Sequence, residues 1–232
     1  SLVGLFGINQ PPSGTRDPFA LRRAALGVLR IIVGRELPLD LQTCCEWASE
    51  GFTNLSADDT VTPVVDYLLE RFRAHYEEQG ISAEVYLAVQ ARRPTRPLDF
   101  EQRIRAVEAF RQMPAAQALA AANKRVSNIL VKQGGDTLSE NIDNSLLQDD
   151  AEKALAAAVT GLEAQVMPLF AKGDYAPALA ALADLRAPVD RFFEDVMVMA
   201  EDEQVRDNRL ALLNRLRNLF LQVADISLLP AG

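Results

Sequence analysis

Residues 209–229 read RLALLNRLRNLFLQVADISLL, and the spacing of their apolar side chains decides the fold class. Apolar residues recur three and four positions apart, which places them on one face of an α-helix. The predicted buried face consists of Leu212, Leu213, Leu216, Leu219, Phe220 and Val223. The pattern therefore predicts a helix over residues 203–224 whose apolar side packs into a core.

The rest of the chain shows the same periodicity and little of the alternation typical of β-strands. We therefore expect an all-α fold. The pairs Asp17-Pro18 and Thr62-Pro63 are typical helix starts, and they predict helices that reach about Val33 and Gln79. Further helices are predicted over residues 82–90, 99–112, 115–133, 151–171, 175–186 and 188–199. The stretch LVGLFGI at residues 2–8 reads instead as buried strand or loop.

Prolines mark the predicted division of the chain. The stretch RRPTRP at residues 92–97 is expected to be non-helical, because its two prolines lack amide donors and disfavour helix in the residues before them. We expect two domains, residues 1–98 and residues 99–232, with a hinge near residues 92–98. The glycines at 134 and 135 open a polar stretch to about residue 150 that reads as a loop.

Composition limits the kind of protein. The chain has 232 residues, of which 49% are hydrophobic and 24% charged, so it is too apolar to be disordered. The only two cysteines, Cys44 and Cys45, are adjacent, which suits reduced thiols and a cytoplasmic protein. No apolar run approaches the ~20 residues that cross a bilayer, so we expect no membrane span. The chain begins with Ser1 rather than Met, and we expect it to be a piece of a longer protein.

Charge is segregated along the chain, although the net charge is −8. Residues 99–133 carry 6 Arg and Lys against 3 Asp and Glu, whereas residues 134–203 carry 4 against 15. Residues 204–232 are basic again, with 4 against 2. A polyanion could therefore meet a locally positive surface on an acidic protein.

Residues that would support chemistry are scarce. The sequence shows no glycine-rich phosphate loop, no nucleophile motif and no metal-ligand spacing. The single histidine, His75, lies on one helical face with Leu68 and Phe72, where packing explains it better than catalysis or metal binding. The spacing of the aromatic residues Trp47, Phe52, Tyr67 and Phe72 fits packing in the core better than a platform on which bases stack. We expect the chain to have no active site of its own.

The predicted helix over residues 115–133 carries a polar stripe beside its apolar face. Leu119, Val126, Ile129 and Leu130 form the expected core side. Arg125, Asn128 and Lys132 follow at helical spacing, with Lys124 next to them. Such a stripe could track the phosphates of a nucleic acid, or it could be an ordinary solvated face.

Arg209 is the second unusual residue, since its position in the last helix falls inside the apolar sector. A buried charge without a partner costs several kcal/mol. Arg209 therefore either pairs with a carboxylate, for which Asp190, Glu194 and Asp195 are the candidates, or lies at the helix end and reaches a ligand.

Five long segments resemble the glycyl-tRNA synthetase β-subunit family. They are DPFALRRAALGVLRI from Asp17, RRPTRPLDF from Arg92, AAANKRVSNIL from Ala120, LRAPVDRFFEDVMVM from Leu185 and the segment from Arg209 quoted above. The last also resembles the helical anticodon-binding family named for an Asp-Ala-Leu-Arg motif. Here the comparable residues 207–210 read Asp-Asn-Arg-Leu, which departs from that motif.

The resemblance implies the C-terminal part of a β subunit in an α₂β₂ heterotetramer. The α subunit would activate glycine with ATP and Mg²⁺, whereas this chain would hold the tRNA and need no cofactor. Residues 1–98 would be the helical end of a middle domain similar to HD phosphohydrolases, and residues 99–232 an anticodon-binding helical bundle. The likeness to HD phosphohydrolases raises the possibility of phosphate-ester hydrolysis. The sequence does not support this activity, because His75 is followed by Tyr76 rather than by Asp.

Recognition of an unpaired anticodon loop is the mechanism that the resemblance implies. Such loops are read by stacking and by hydrogen bonds to base edges, and the glycine anticodons end in two cytosines. The candidate donors are Arg125, Asn128, Lys132, Asn208 and Arg209, the candidate acceptors for a cytosine amino group are Asp195 and Asp202, and the candidate phosphate ligands are Lys124 and Arg103. The alternative is a helical scaffold that docks the α subunit without touching RNA.

Overall fold

The computed structural model describes residues 1–12, 17, 19–55, 57, 59–135 and 138–230. Its α-helices are α1 (Leu2–Gly7), α2 (Leu21–Gly34), α3 (Leu41–Glu50), α4 (Val61–Glu78), α5 (Ala83–Gln90), α6 (Pro97–Arg111), α7 (Ala116–Lys132), α8 (Asp150–Lys172), α9 (Tyr175–Leu182), α10 (Arg186–Asp195) and α11 (Glu203–Leu221). Short 3₁₀ turns cover Asn144–Leu146, Ala183–Leu185 and Ile226–Leu228. No strand occurs in the described part of the chain, which confirms the all-α prediction.

The chain folds as two compact units. The first consists of Ser1–Tyr86 with Arg93–Glu101, and the second of Leu87–Arg92 with Gln102–Gly232.

Stacked aromatic rings form the centre of the first unit. Phe72 and Tyr76 of α4 lie over Phe100, with ring centroids 5.3 and 5.9 Å from it. Tyr86 completes the cluster, and its buried hydroxyl donates a 2.7 Å hydrogen bond to the carbonyl of Leu69. Burial raises the pKa of Tyr86. Each of these rings contributes about 1.5–3 kcal/mol through the apolar surface it removes from water.

The start of α2 differs from the prediction. The Asp17 carboxylate accepts hydrogen bonds from the amides of Leu21 and Arg22, at 2.7 and 3.0 Å. It therefore satisfies two amides of the first turn, but the N-cap residue is Ala20 rather than the predicted Asp17, and the helix begins only at Leu21. Pro18, the other member of the predicted pair, lies outside the described residues.

Two helices of the first unit were not predicted. Residues 2–8 were expected to be strand or loop, but α1 occupies most of them. In α3 the Asp40 carboxylate caps the first turn by accepting from the amides of Gln42 and Thr43, at 2.9 and 3.3 Å. Only two α3 side chains are buried, Leu41 and Cys45, so the apolar pattern is too short to mark a helix.

The aromatic residues of this region do not all enter the core. Trp47 is 64% exposed, and Phe52 is 45% exposed, so the prediction that both pack in the core is wrong. Trp47 lies two positions after the buried Cys45, which turns it about 200° away from the inner face of α3. His75 lies at the boundary of the unit and hydrogen-bonds Gln79 at 2.8 Å.

The proline-containing stretch is non-helical up to Arg96, as predicted, and α6 begins at Pro97. Side-chain and backbone contacts hold its residues 93–96 within the first unit. The Thr95 hydroxyl donates to Asp40 at 2.8 Å, and the Leu41 amide donates to the Thr95 carbonyl at 2.9 Å. Arg93 pairs with Asp66 at 2.8 Å.

The second unit is a helical bundle around α11. Its buried apolar residues include Leu212, Leu213, Leu216, Leu219, Phe220 and Val223, which confirms the predicted face. Helix α11 packs against α7 and α8, and α10 contacts both of those helices. The predicted inner face of α7 is also confirmed at Leu119, Val126 and Leu130, whereas Ile129 is partly exposed.

Helix α8, Asp150–Lys172, is long and apolar enough to cross a bilayer by length and composition alone. The expectation that no stretch of the chain reaches this length is therefore wrong. Such a helix is weak evidence of a membrane span, because core helices pass the same test. Here Glu152 and Glu163 of α8 pair with Arg209 and Arg215 of α11. The contacts of α8 with α9, α10 and α11 make it part of the bundle.

Candidate nucleic-acid interface

The outer face of α7 presents the predicted polar stripe to solvent. Lys124, Asn128 and Lys132 are all exposed, and they lie opposite the buried Leu119 and Leu130. Within the described residues the three side chains have no hydrogen-bond or ion-pair partner. Two ammonium groups and one amide are therefore available to a ligand along two turns of one helix.

Arg125, the fourth member of the stripe, stacks on an aromatic ring of another helix. Its guanidinium carbon lies 4.2 Å from the ring centroid of Phe193 in the last turn of α10. Phe193 is only partly buried, and Phe192 supports it from within the core in an edge-on contact at 5.6 Å. The stack holds a flat cationic group at the surface, which is the kind of plane on which RNA bases stack.

Phe193 was missed at the sequence level. The adjacent pair Phe192-Phe193 was the available signal, because neighbouring residues of a helix point about 100° apart and cannot both face one core. One of the two rings therefore had to lie near the surface.

Arg103, which was predicted to contact phosphate, is engaged in contacts within the second unit. Its Nη1 donates to the carbonyls of Gln222 and Val223, at 2.6 and 2.8 Å, just past the end of α11. Its Nη2 donates to the Tyr175 hydroxyl at 2.8 Å, and the guanidinium also lies over the Tyr175 ring. Arg103 thus satisfies carbonyls that a helix leaves without partners at its C-terminus.

Asn208 is buried and holds the loop between α7 and α8. Its Oδ1 accepts from the Asp143 amide at 2.7 Å, and its Nδ2 donates to the Asp143 carbonyl at 3.0 Å. Asn214 adds a 3.0 Å hydrogen bond to the Leu138 carbonyl. Both polar groups of Asn208 are therefore engaged with the protein backbone.

Arg209 is 5% exposed, as its place in the apolar sector predicted, but the expected partners were wrong. Among the described residues, no hydrogen bond or ion pair joins it to Asp190, Glu194 or Asp195 of α10. Its Nε donates to Glu152, its Nη2 to Asp149 at 2.9 Å, and its Nη1 to the Met197 carbonyl at 2.7 Å. The guanidinium meets the N-terminal end of α8 because α8, rather than α10, packs along that side of α11.

The environment of Glu152 completes this arrangement. Glu152 also accepts from the amides of Gln148 and Asp149, both at 2.8 Å. Burial acts to raise its pKa, but the hydrogen bonds from Arg209 and from these amides outweigh that effect and lower it. An ionised pair therefore occupies the interior of the bundle.

The predicted acceptors on the acidic side already have partners. Asp195 pairs with Arg191 at 3.3 Å. Asp202 caps α11 by accepting from the amides of Gln204 and Val205, at 2.9 and 3.2 Å. Of the nine residues predicted to contact RNA, the structure brings together only Lys124, Arg125, Asn128 and Lys132 on one surface, which we call the α7 surface.

Comparison with known proteins divides the chain in two. A family model described as glycyl-tRNA synthetase beta subunit matches residues 1–91. A second model, described as DALR anticodon binding domain, matches residues 119–226. The α7 surface lies within the second match, whereas Arg103 lies between the two.

Relatives match along the whole chain. A glycine–tRNA ligase beta subunit from Marinobacter nauticus is 74% identical over 232 residues, which is 100% of this chain and 34% of that protein. Those from Aeromonas salmonicida and Pasteurella multocida are 60% and 59% identical over 230 residues, 99% of this chain and 33% of each relative. The chain spans about a third of the length of these relatives. The two family matches and the identity along the whole chain show that it belongs to the glycine–tRNA ligase β-subunit family.

Proposed function

We propose that this chain is the tRNA-holding part of a glycine–tRNA ligase β subunit, and that the α7 surface contacts the anticodon loop. The observation that carries the proposal is the Arg125–Phe193 stack beside the exposed Lys124, Asn128 and Lys132. The match of residues 119–226 to an anticodon-binding domain supports the same surface.

Each group of the α7 surface has a distinct task in this proposal. The Arg125 plane, backed by Phe193, stacks on a base that has left the helical stack of the RNA. Asn128 lies one turn further along α7, where its amide can donate to and accept from a base edge. Lys124 and Lys132, at the two ends of the surface, neutralise phosphates and fix the register of the RNA.

Arg103, Asn208 and Arg209 leave the set of RNA ligands in this proposal, because their polar atoms are engaged inside the second unit. Asp195 and Asp202 leave it as well, since one forms an ion pair and the other caps α11. These residues support the α7 surface by holding α11, α10 and the connecting loop in place.

The wider proposal rests on the resemblance to the glycyl-tRNA synthetase β-subunit family, and the names of the relatives support only its coarser part, a β subunit of a glycine–tRNA ligase. An α subunit charges the tRNA with glycine and uses ATP and Mg²⁺, and two α and two β subunits assemble in the cytoplasm. This chain contributes tRNA affinity and no catalytic group or cofactor ligand.

Binding of glycine tRNA to the chain tests the proposal. We expect a complex in gel-shift titration that is weaker with an anticodon-swapped tRNA and that weakens steeply as salt rises, because phosphate contacts release counterions. A scaffold that only docks the α subunit through apolar faces would show no such salt dependence.

Matched lysine variants sharpen the test. Lys124→Ala should reduce the affinity, whereas Lys172→Ala, which removes an exposed cation at the end of α8, should not. Equal losses in the two variants would show that the RNA senses net charge alone, and would remove the α7 surface as the site.

A further inference from the structure

The segment between α10 and α11 carries exposed methionines. Met197 is 74% exposed and Met199 is 45% exposed, whereas the intervening Val198 and the preceding Val196 are buried. An exposed apolar patch with a polar rim can mark a site of interaction with another protein. The described part of the second unit leaves most of Met197 and nearly half of Met199 uncovered.

Hydrogen bonds to its backbone fix this segment. The Met197 carbonyl accepts from the buried Arg209 at 2.7 Å, and the Ala200 carbonyl accepts from Arg206 at 3.5 Å. The Val196 amide donates to Phe192 at 3.0 Å. The methionines are therefore presented from an anchored backbone and do not owe their exposure to a fraying chain end.

The surroundings of the two methionines are acidic. Residues 194–203 contain five carboxylates and no Lys or Arg. Glu194 and Glu201 are exposed without a partner in the described chain, whereas Asp195 pairs with Arg191 and Glu203 with Arg206. This rim repels the phosphates of a nucleic acid and attracts cations. It contrasts with the basic α7 surface.

We propose that Met197 and Met199, with Glu194 and Glu201 beside them, form a docking surface for a basic amphipathic segment of a partner protein. Methionine is flexible and polarisable, so it adapts to apolar side chains of different shapes. Lysines or arginines that flank such side chains would face the carboxylates. A helix with this pattern lays its apolar face against the methionines. The inference does not depend on tRNA binding and uses a different surface.

Methyl NMR of the methionines offers a direct test, because the chain has only four of them. The probes are an amphipathic helical peptide of leucine and lysine, the same peptide with glutamate at every lysine, and an anticodon stem-loop RNA. The lysine peptide should shift the Met197 and Met199 signals and leave Met167, which is 46% exposed on α8, unchanged. Met167 is thus the control for nonspecific binding of the peptide to exposed methionines.

Several results would overturn the proposal. They are the absence of a shift with the lysine peptide, an equal shift with the glutamate peptide, an equal shift of Met167, or a shift of Met197 and Met199 by the RNA alone. The last would assign the methionines to nucleic-acid binding.

Variants test the two halves of the surface separately. Met197→Ser with Met199→Ser should weaken binding of the lysine peptide at least about tenfold, since both apolar contacts would be lost. Glu194→Gln with Glu201→Gln should weaken binding of the lysine peptide and make that binding less dependent on salt. Unchanged peptide affinity in both double variants would refute the surface. Affinity for glycine tRNA should not fall in any of these variants, which separates this test from that of the proposed function.

Discussion

Arg209 and Glu152 form an ion pair inside the second unit, with Arg209 5% exposed and Glu152 fully buried. The pair links α11 to the first turn of α8, where Glu152 and Asp149 also form the capping box of that helix. Because Arg209 also holds the Met197 carbonyl, a single guanidinium joins three segments of the bundle. Charges in such a place stabilise only when every hydrogen bond is made.

Replacement of Arg209 by alanine should therefore destabilise the fold. We expect a loss of about 3–5 kcal/mol in the free energy of unfolding, because Glu152 would remain as a buried charge without its partner. Urea unfolding measures this loss. Affinity for glycine tRNA, calculated per folded molecule, should stay within error of the unmodified chain. Loss of tRNA affinity with unchanged stability would show that Arg209 contacts the RNA.

The stability of the chain should depend on pH through Glu152. Its pKa is lowered in the folded state from the ordinary value of 4.5, so its contribution is present above that value and is lost as the pH falls through the lower folded pKa. The free energy of unfolding should therefore drop on acidification below pH 4.5. Glu152→Gln should be less stable at neutral pH and show a smaller drop. A drop of equal size in the variant would mean that other carboxylates cause it.

Lys132 should act as a phosphate ligand. Lys132→Ala should lower the affinity for glycine tRNA and for an anticodon-swapped tRNA by the same factor, because phosphate contacts carry no sequence information. The slope of log affinity against log salt should become shallower by about one. Titrations of both tRNAs at several salt concentrations would reveal a selective loss, which this assignment does not allow.

Arg125 should help the chain to distinguish the matching anticodon from other anticodons. Arg125→Ala should cost about 1–3 kcal/mol with the matching anticodon and less with the swapped one, because base stacking on the guanidinium would be lost. Arg125→Lys keeps the charge but not the plane, so it should restore little of the preference. Fluorescence titration on both tRNAs provides the comparison. Full recovery with lysine would reduce Arg125 to a phosphate ligand.

The chain by itself should perform no chemistry. With glycine, ATP and added divalent metal, we expect neither glycyl-adenylate nor phosphate-ester hydrolysis, because the sequence has no motif for either reaction. The assay uses purified protein and follows ATP consumption and phosphate release. Turnover that disappears in His75→Ala would contradict this expectation and revive the hydrolase alternative.

The sequence by itself determined the helical class and the inner faces of the long helices. Periodicity along α7 and α11 is a local property, since the 3.6-residue turn fixes which side chains share a face. The inward position of Arg209 followed from the same geometry, as did the exposure of Lys124 and Lys132. The short α3 escaped prediction because Leu41 and Cys45 alone are too few to show a period.

Only the tertiary structure decided which helices meet. The sequence required a carboxylate for Arg209, but α8 rather than α10 supplies it, because that choice depends on how the helices pack in the bundle. The stack of Arg125 on Phe193 joins α7 to α10, and no spacing within either helix encodes it. Which side chains share a helix face depends on residues close together in the chain. Which residues become partners depends on how side chains from distant segments pack, and that packing exists only in the folded bundle.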